Sequence, residues 1–254
     1  MFGLDPWQFW TIFAVTAFAG FVKGAIGFAM PLIMASAFAS ILPPQTALAA
    51  LILPVLTTNI HQALRQGPAA ALQSVRNFRW HIAMVLVFLM VSAGLARQIP
   101  QGLMYALLGL PILAFSLWQL AGKPLTLPIH HRRRAEVATG IIGGLYGGVS
   151  GIWGPPLVVL LLSLGIEKQE QVRVQGVVFL LGAAGLTVAH MTSGILNAQT
   201  IPLSAALCVP AFGGMLAGFA LQDRMNVVQF RRWTLILLVI TGLNLARRAL
   251  PDWI

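Results

Sequence analysis

The chain has 254 residues, of which 58% are hydrophobic and only 9% charged, with a mean hydropathy of +0.84. A water-soluble domain of this length carries about a quarter charged residues, so composition excludes an ordinary soluble fold and points to an all-α polytopic membrane protein. The formal net charge of +10 does not indicate nucleic acid, because the basic residues form no face and fall in short loops between apolar runs, where membrane orientation is marked.

The N-terminal stretch MFGLDPWQFW has no basic n-region and reads as retained protein rather than a cleaved signal peptide. Apolar runs then fall at 9–42, 47–64, 80–96, 103–121, 137–166, 174–191, 201–222 and 233–250. A spanning helix needs about 20 residues. The runs at 9–42 and 137–166 are too long for one span and too short for two, and the other runs each fit one. Cys208, the sole cysteine, lies in such a run and reads as packing.

The two long runs carry one pattern. GFVKGAIGFAMP (20–31) and GLYGGVSGIWGP (144–155) both read G-x-x-x-G-x-x-G-x-x-x-P, with a constant offset of 124. The same offset pairs Gln45 with Gln169 and Gly94 with Gly218. The chain therefore reads as a duplication, residues 1–122 and 123–254. Each half is a broken run followed by three ordinary spans, and the basic loop GKPLTLPIHHRRRAE (122–136) is the join.

Loop charge decides how the long runs meet the membrane. If each enters and returns as a re-entrant hairpin, one side gathers Arg65, Arg76, Arg79, Lys123, Arg132, Arg133, Arg134, Lys168, Arg173, Arg224, Arg231 and Arg232. The other side keeps only Arg97, Arg247 and Arg248. If each crosses once, that bias nearly vanishes. The positive-inside rule therefore favours hairpins, with both termini outside the cytoplasm. Three full crossings plus a hairpin make the two halves inverted, so the glycine-rich tips meet near the midplane, the layout of secondary transporters.

In each tip, Gly24 to Gly27 and Gly148 to Gly151 are expected to turn, with Pro31 and Pro155 starting the returning helices. A helix N-terminus offers free N–H groups and partial positive charge, which suits an anion. The plainer reading of the glycines is close helix packing, which is favoured for Gly214 and Gly218. Lys23 is the only basic residue well inside an apolar run. It is a candidate anion ligand, or a lysine snorkelling to the cytosolic interface. The acidic residues Asp5, Glu136, Glu167, Glu170, Asp223 and Asp252 all lie at run ends or in loops. That argues against a cation site or a carboxylate relay. Thr57, Thr58, Asn59 and His61, and then Gln175, Thr187 and His190, are the other intramembrane polar candidates. Phe28 and Trp153, beside the tips, read as packing or as gates. The substrate site is expected to draw on these tip and polar residues, with no metal and no cofactor.

These paired glycine–proline motifs, with TTNIHQALRQG (57–67) and EQVRVQGVVFLLG (170–182), resemble the sulfite exporter TauE/SafE family, also called the four-toluene sulfonate uptake permease family. The resemblance covers nearly the whole chain. It implies a bacterial inner-membrane transporter of small sulfur-containing anions such as sulfite, sulfoacetate or other organosulfonates, with the lipid bilayer as its surroundings. The first motif departs from the family's glycine-dense run, with Ala25, Phe28 and Ala29 around Gly27, which implies a tighter or more apolar pocket. Two other classes stand beside it. One is a passive anion channel. The other is an intramembrane serine hydrolase, since GVSG (148–151) places Ser150 one helix away from His190.

Overall fold

The computed structural model describes residues 2–249 apart from 97, 124, 125, 127 and 222–226. Arg97, Asp223, Arg224 and Asp252, which enter the charge comparison, lie outside the described residues. The described residues form helices α1 (Pro6–Ile26), α2 (Met30–Ala39), α3 (Pro44–Leu64), α4 (Pro68–Asn77), α5 (Arg79–Leu95), α6 (Gln101–Leu120), α7 (Arg132–Ser150), α8 (Gly154–Ser163), α9 (Lys168–Thr192), α10 (Ile201–Ala206), α11 (Cys208–Leu221) and α12 (Val227–Ala249), with no strand among them. Helices α3, α6, α9 and the α10–α11 pair are long and apolar enough to cross a membrane. The pair α4 and α5, bent by 81°, supplies a fifth candidate. The fold is that of an all-α polytopic membrane protein.

Prolines punctuate this fold where helices begin, because a first-turn proline forfeits no helical hydrogen bond. Pro6, Pro31, Pro44, Pro68 and Pro155 all sit there. Pro54 is different, since it lies inside α3. Its missing N–H strands the carbonyl of Ala50 four residues earlier. Ser204 of α10 repairs the gap: its hydroxyl donates to the Ala50 carbonyl at 3.2 Å and accepts the Leu53 N–H at 3.1 Å. In a bilayer such a carbonyl needs a partner from the protein itself.

Helix bounds recur at the offset read from the sequence. α1 and α7 end at Ile26 and Ser150, α2 and α8 span Met30–Ala39 and Gly154–Ser163, and α3 and α9 begin at Pro44 and Lys168. Packing follows the same exchange. α1 lies on α11 as α7 lies on α5, α10 lies on α3 as α4 lies on α9, and α3 with α9 and α6 with α12 pair across the two halves.

The broken runs fold back on themselves. A Cβ on Gly143 of α7 would lie 3.8 Å from Pro156 Cβ in the first turn of α8. On one continuous helix those residues would be about 20 Å apart. The arms are unequal, however. α1 has 21 residues and α2 only 10, about 31 Å against about 15 Å. The entering arm thus runs past Gly24, where the turn was expected to begin.

The reason is that Gly24 and Gly148 do not turn. A Cβ on Gly20 or Gly24 would fall 2.2 Å from the carbonyl oxygen of Ala211 or Met215 on α11. Gly214 and Gly218 answer from α11, at 2.0 and 2.2 Å from the Ala17 and Phe21 carbonyls. On the other side, a Cβ on Gly140, Gly144 or Gly148 would collide with the His81, Val85 or Leu89 carbonyl of α5. These glycines let helix backbones touch. Of the motif glycines it is Gly27 (φ 87°) and Gly151 (φ 73°) that turn the chain, each as a left-handed helix cap, and Ala29 (φ 77°) is a second left-handed residue in the first turn.

Candidate functional site

The two turns lie against each other's half. Gly27 faces Val172 and Gln175 of α9, with a Cβ there falling 3.4 Å from Val172 Cγ2. Gly151 faces Leu48 and Leu51 of α3, at 3.1 and 2.9 Å from their Cδ1 atoms. Val172 and Leu48, like Gln175 and Leu51, are 124 positions apart. Side chains pin the turns in place. Gln62 of α3 donates from Nε2 to the Gly27 carbonyl at 3.0 Å and to the Val172 carbonyl at 3.2 Å. Ser150 accepts the Ile152 N–H at 3.1 Å and donates to the Tyr146 carbonyl at 2.7 Å.

Between the turns is a cavity of about 20 Å³, room for about one water molecule. Phe28, Ala29, Pro31, Leu32, Val55 and Asn59 line it from the first half, and Gly151, Ile152, Trp153, Gly154, Pro155 and Phe179 from the second. Phe28 with Ile152, Ala29 with Trp153, Pro31 with Pro155 and Val55 with Phe179 are each 124 apart. The cavity therefore sits where positions 124 apart in the chain converge. No carboxylate lines it among the described residues.

Behind its wall is Lys23, only 2% exposed. It does not snorkel. Its Nζ donates to Thr58 Oγ1 at 3.1 Å and to Asn59 Oδ1. An ammonium has three N–H donors and no acceptor, so it fixes the orientation of the Asn59 amide. Oδ1 must face Lys23, and Nδ2 must turn away. That Nδ2 is buried and has no partner among the described residues. Asn59 lines the cavity, and Lys23 stands one hydrogen bond behind it. Thr58 in turn donates to the Pro54 carbonyl at 2.7 Å, which fixes its oxygen as the acceptor facing Lys23.

Of the residues singled out in the sequence, Phe28, Pro31, Asn59, Gly151, Trp153 and Pro155 line the cavity. Lys23 and Thr58 stand behind it, Gly27 and Ser150 belong to the turns, and Gln175 faces Gly27. Gly24 and Gly148 serve helix crossings instead. The two returning helices also differ as anion ends. α8 opens Gly154–Pro155–Pro156, so two of its first three residues lack an N–H, whereas α2 opens Met30–Pro31–Leu32 and lacks one.

His190 has a local task. α7 ends at Ser150, which leaves the Gly148 carbonyl among its last unpaired acceptors. His190 Nε2 lies 3.0 Å from that carbonyl, and Nδ1 lies 3.3 Å from Ser193 Oγ. Ser150 has the partners given above, so Ser150 and His190 do not face each other as nucleophile and base. Leu32, Val55, Ile152, Gly154 and Phe179 complete the cavity and were not singled out by sequence, whereas Ala29 entered through the departure of the first motif from the family's glycine-dense run. The offset was the available signal, since it pairs Ala29 with Trp153 and Val55 with Phe179.

No curated protein and no solved structure matches the chain. A family profile does: that described as Sulfite exporter TauE/SafE matches residues 12–245, which include both glycine–proline motifs and every residue lining the cavity. The chain belongs to the sulfite exporter TauE/SafE family of membrane transport proteins.

Proposed function

We propose that this chain exports small sulfur-containing anions, sulfite or organosulfonates, across a bacterial inner membrane by alternating access around the cavity between the two turns. One observation carries the reading. Asn59 lines the cavity with Lys23 hydrogen-bonded behind it, the buried Asn59 Nδ2 has no partner among the described residues, and no described carboxylate lines the cavity. An unsatisfied buried donor is costly until something accepts from it, and an anion oxygen is the acceptor that also gives the buried ammonium a counter-charge. The cavity as it stands holds no more than about one water, so this is a closed state that widens to load.

Exchange-related packing of the two halves supports an inverted pair of repeats, residues 1–122 and 123–254. The loop charges support termini on the periplasmic side. Rocking of one half against the other would then expose the cavity to each face in turn. The inside-negative potential favours anion efflux by about 2.3 kcal/mol per charge per 100 mV, so export needs no coupling ion.

The test is radiolabelled sulfite flux in proteoliposomes. A carrier predicts flux that saturates, shows counterflow, and speeds up when the sulfite-loaded side is made negative. Flux that rises linearly without counterflow would identify a channel, and no flux of sulfite or of methanesulfonate would overturn the reading.

A further inference from the structure

Three positions beside each turn, related by the 124-residue offset, are filled in opposite ways. In the first half they are Lys23 of α1, Ala29 of the turn and Thr58 of α3. In the second they are Gly147 of α7, Trp153 of the turn and Gly182 of α9, each 124 positions on. In the first half the helix supplies the long side chain and the turn contributes a methyl group. In the second half the turn supplies an indole and both helices withdraw to glycine.

The exchange is close in space. A Cβ on Gly147 would lie 3.0 Å from Trp153 Cβ, and a Cβ on Gly182 would lie 2.6 Å from Trp153 Nε1 and Cε2. Any side chain at 147 or 182 would therefore push on the ring system. The indole is 2% exposed and meets the Phe179 ring edge-on at 6.3 Å. Its Nε1–H has no partner among the described residues, so the socket holds the ring by shape and not by hydrogen bonding. Trp153 and Phe179 both line the cavity.

The cavity lining thus includes Asn59, backed by Lys23, and an aromatic pair, Trp153 and Phe179. We infer that Trp153, seated in the Gly147–Gly182 socket, sets the size limit of the transported anion: the charged head binds at Asn59, and the indole stops the organic tail. This rests on the anion site proposed above. Because the cavity is smaller than any sulfonate, loading needs one wall to give way. The indole is the largest side chain lining the cavity, and it occupies volume that a longer tail would need.

The experiment measures how methanesulfonate, ethanesulfonate, butanesulfonate and benzenesulfonate compete with radiolabelled sulfite for the purified protein. It compares wild type, Trp153→Ala, Trp153→Phe and the exposed-site control Trp118→Ala. Wild type is expected to bind butanesulfonate and benzenesulfonate at least tenfold more weakly than methanesulfonate. Trp153→Ala is expected to erase most of that gap, Trp153→Phe to narrow it, and Trp118→Ala to leave it unchanged. A gap unchanged in both Trp153 variants would overturn the size-limit role while leaving the anion site standing. If the alanine variant does not purify as a folded protein, the phenylalanine variant decides, because it keeps an aromatic ring in the socket. Failure of wild type to bind sulfite or any sulfonate would instead remove the anion site itself.

Discussion

Replacing Lys23 with methionine is expected to cut sulfite flux about 10- to 100-fold while leaving a folded protein. Lys23 is held by Thr58 and Asn59, and it fixes the direction of the Asn59 amide. Methionine keeps a long unbranched stem but removes the donors. A hydrogen bond involving a charged group is worth about 1.5–3 kcal/mol, and each 1.4 kcal/mol is about a factor of ten. Loss of the cation also frees the amide to rotate, so that Oδ1 can face the anion and repel it. Stability should change little or rise, because an apolar group of similar shape spares the cost of burying an ammonium without a carboxylate partner. Lys23→Arg should not restore flux, since the planar guanidinium does not fit a site shaped for a compact ammonium. Asn59→Leu should lose a similar amount, and the double variant should lose much less than the product of the two, because the pair acts as a unit. Independent, multiplying losses would show that Lys23 and Asn59 act separately.

The second large effect separates two glycines that the sequence offset pairs. Gly218→Ala is expected to lower the thermal midpoint sharply, with a cost of about 1–3 kcal/mol or more for overpacking. Its Cβ would fall 2.2 Å from the Phe21 carbonyl and 2.9 Å from Ala25 N, both backbone atoms that cannot swing aside. Gly94→Ala should be neutral or stabilising by about 0.5–1 kcal/mol, because a Cβ there meets nothing within 4 Å. Equal effects at the two positions, measured by thermal unfolding in detergent, would contradict the account of the α1–α11 crossing.

That contrast also marks how far the sequence could be read. The hydropathy runs gave the helical class, and the 124-residue offset anticipated matching helix bounds, because both depend on local composition. The division of labour among glycines was not legible. A glycine that caps a helix and one that admits a neighbouring backbone look alike in a string. Gly24 and Gly27 differ only in what stands opposite them, α11 for one and Val172 with Gln175 for the other. The partners of Lys23 were also hidden. Thr58 and Asn59 were recognisable as polar groups in an apolar run, but their meeting with Lys23 depends on how α3 packs beside α1 and α2. The swap of Lys23 for Trp153 beside the two turns could have been found by reading the aligned halves for volume as well as for glycine. Ala29 opposite Trp153 and Thr58 opposite Gly182 were already visible there.

The central claim is that an anion binds between the two turns through Asn59. It is tested most directly by equilibrium binding of radiolabelled sulfite to the purified protein, wild type against Asn59→Leu, with thermal unfolding as the control for folding. Leucine has the branched outline of asparagine and no donor, and the thermal control covers the extra volume of its methyl groups. The account predicts saturable one-site binding by wild type and at least tenfold weaker binding by a folded Asn59→Leu. Unchanged affinity in the folded variant would place the anion elsewhere in the molecule and contradict the account.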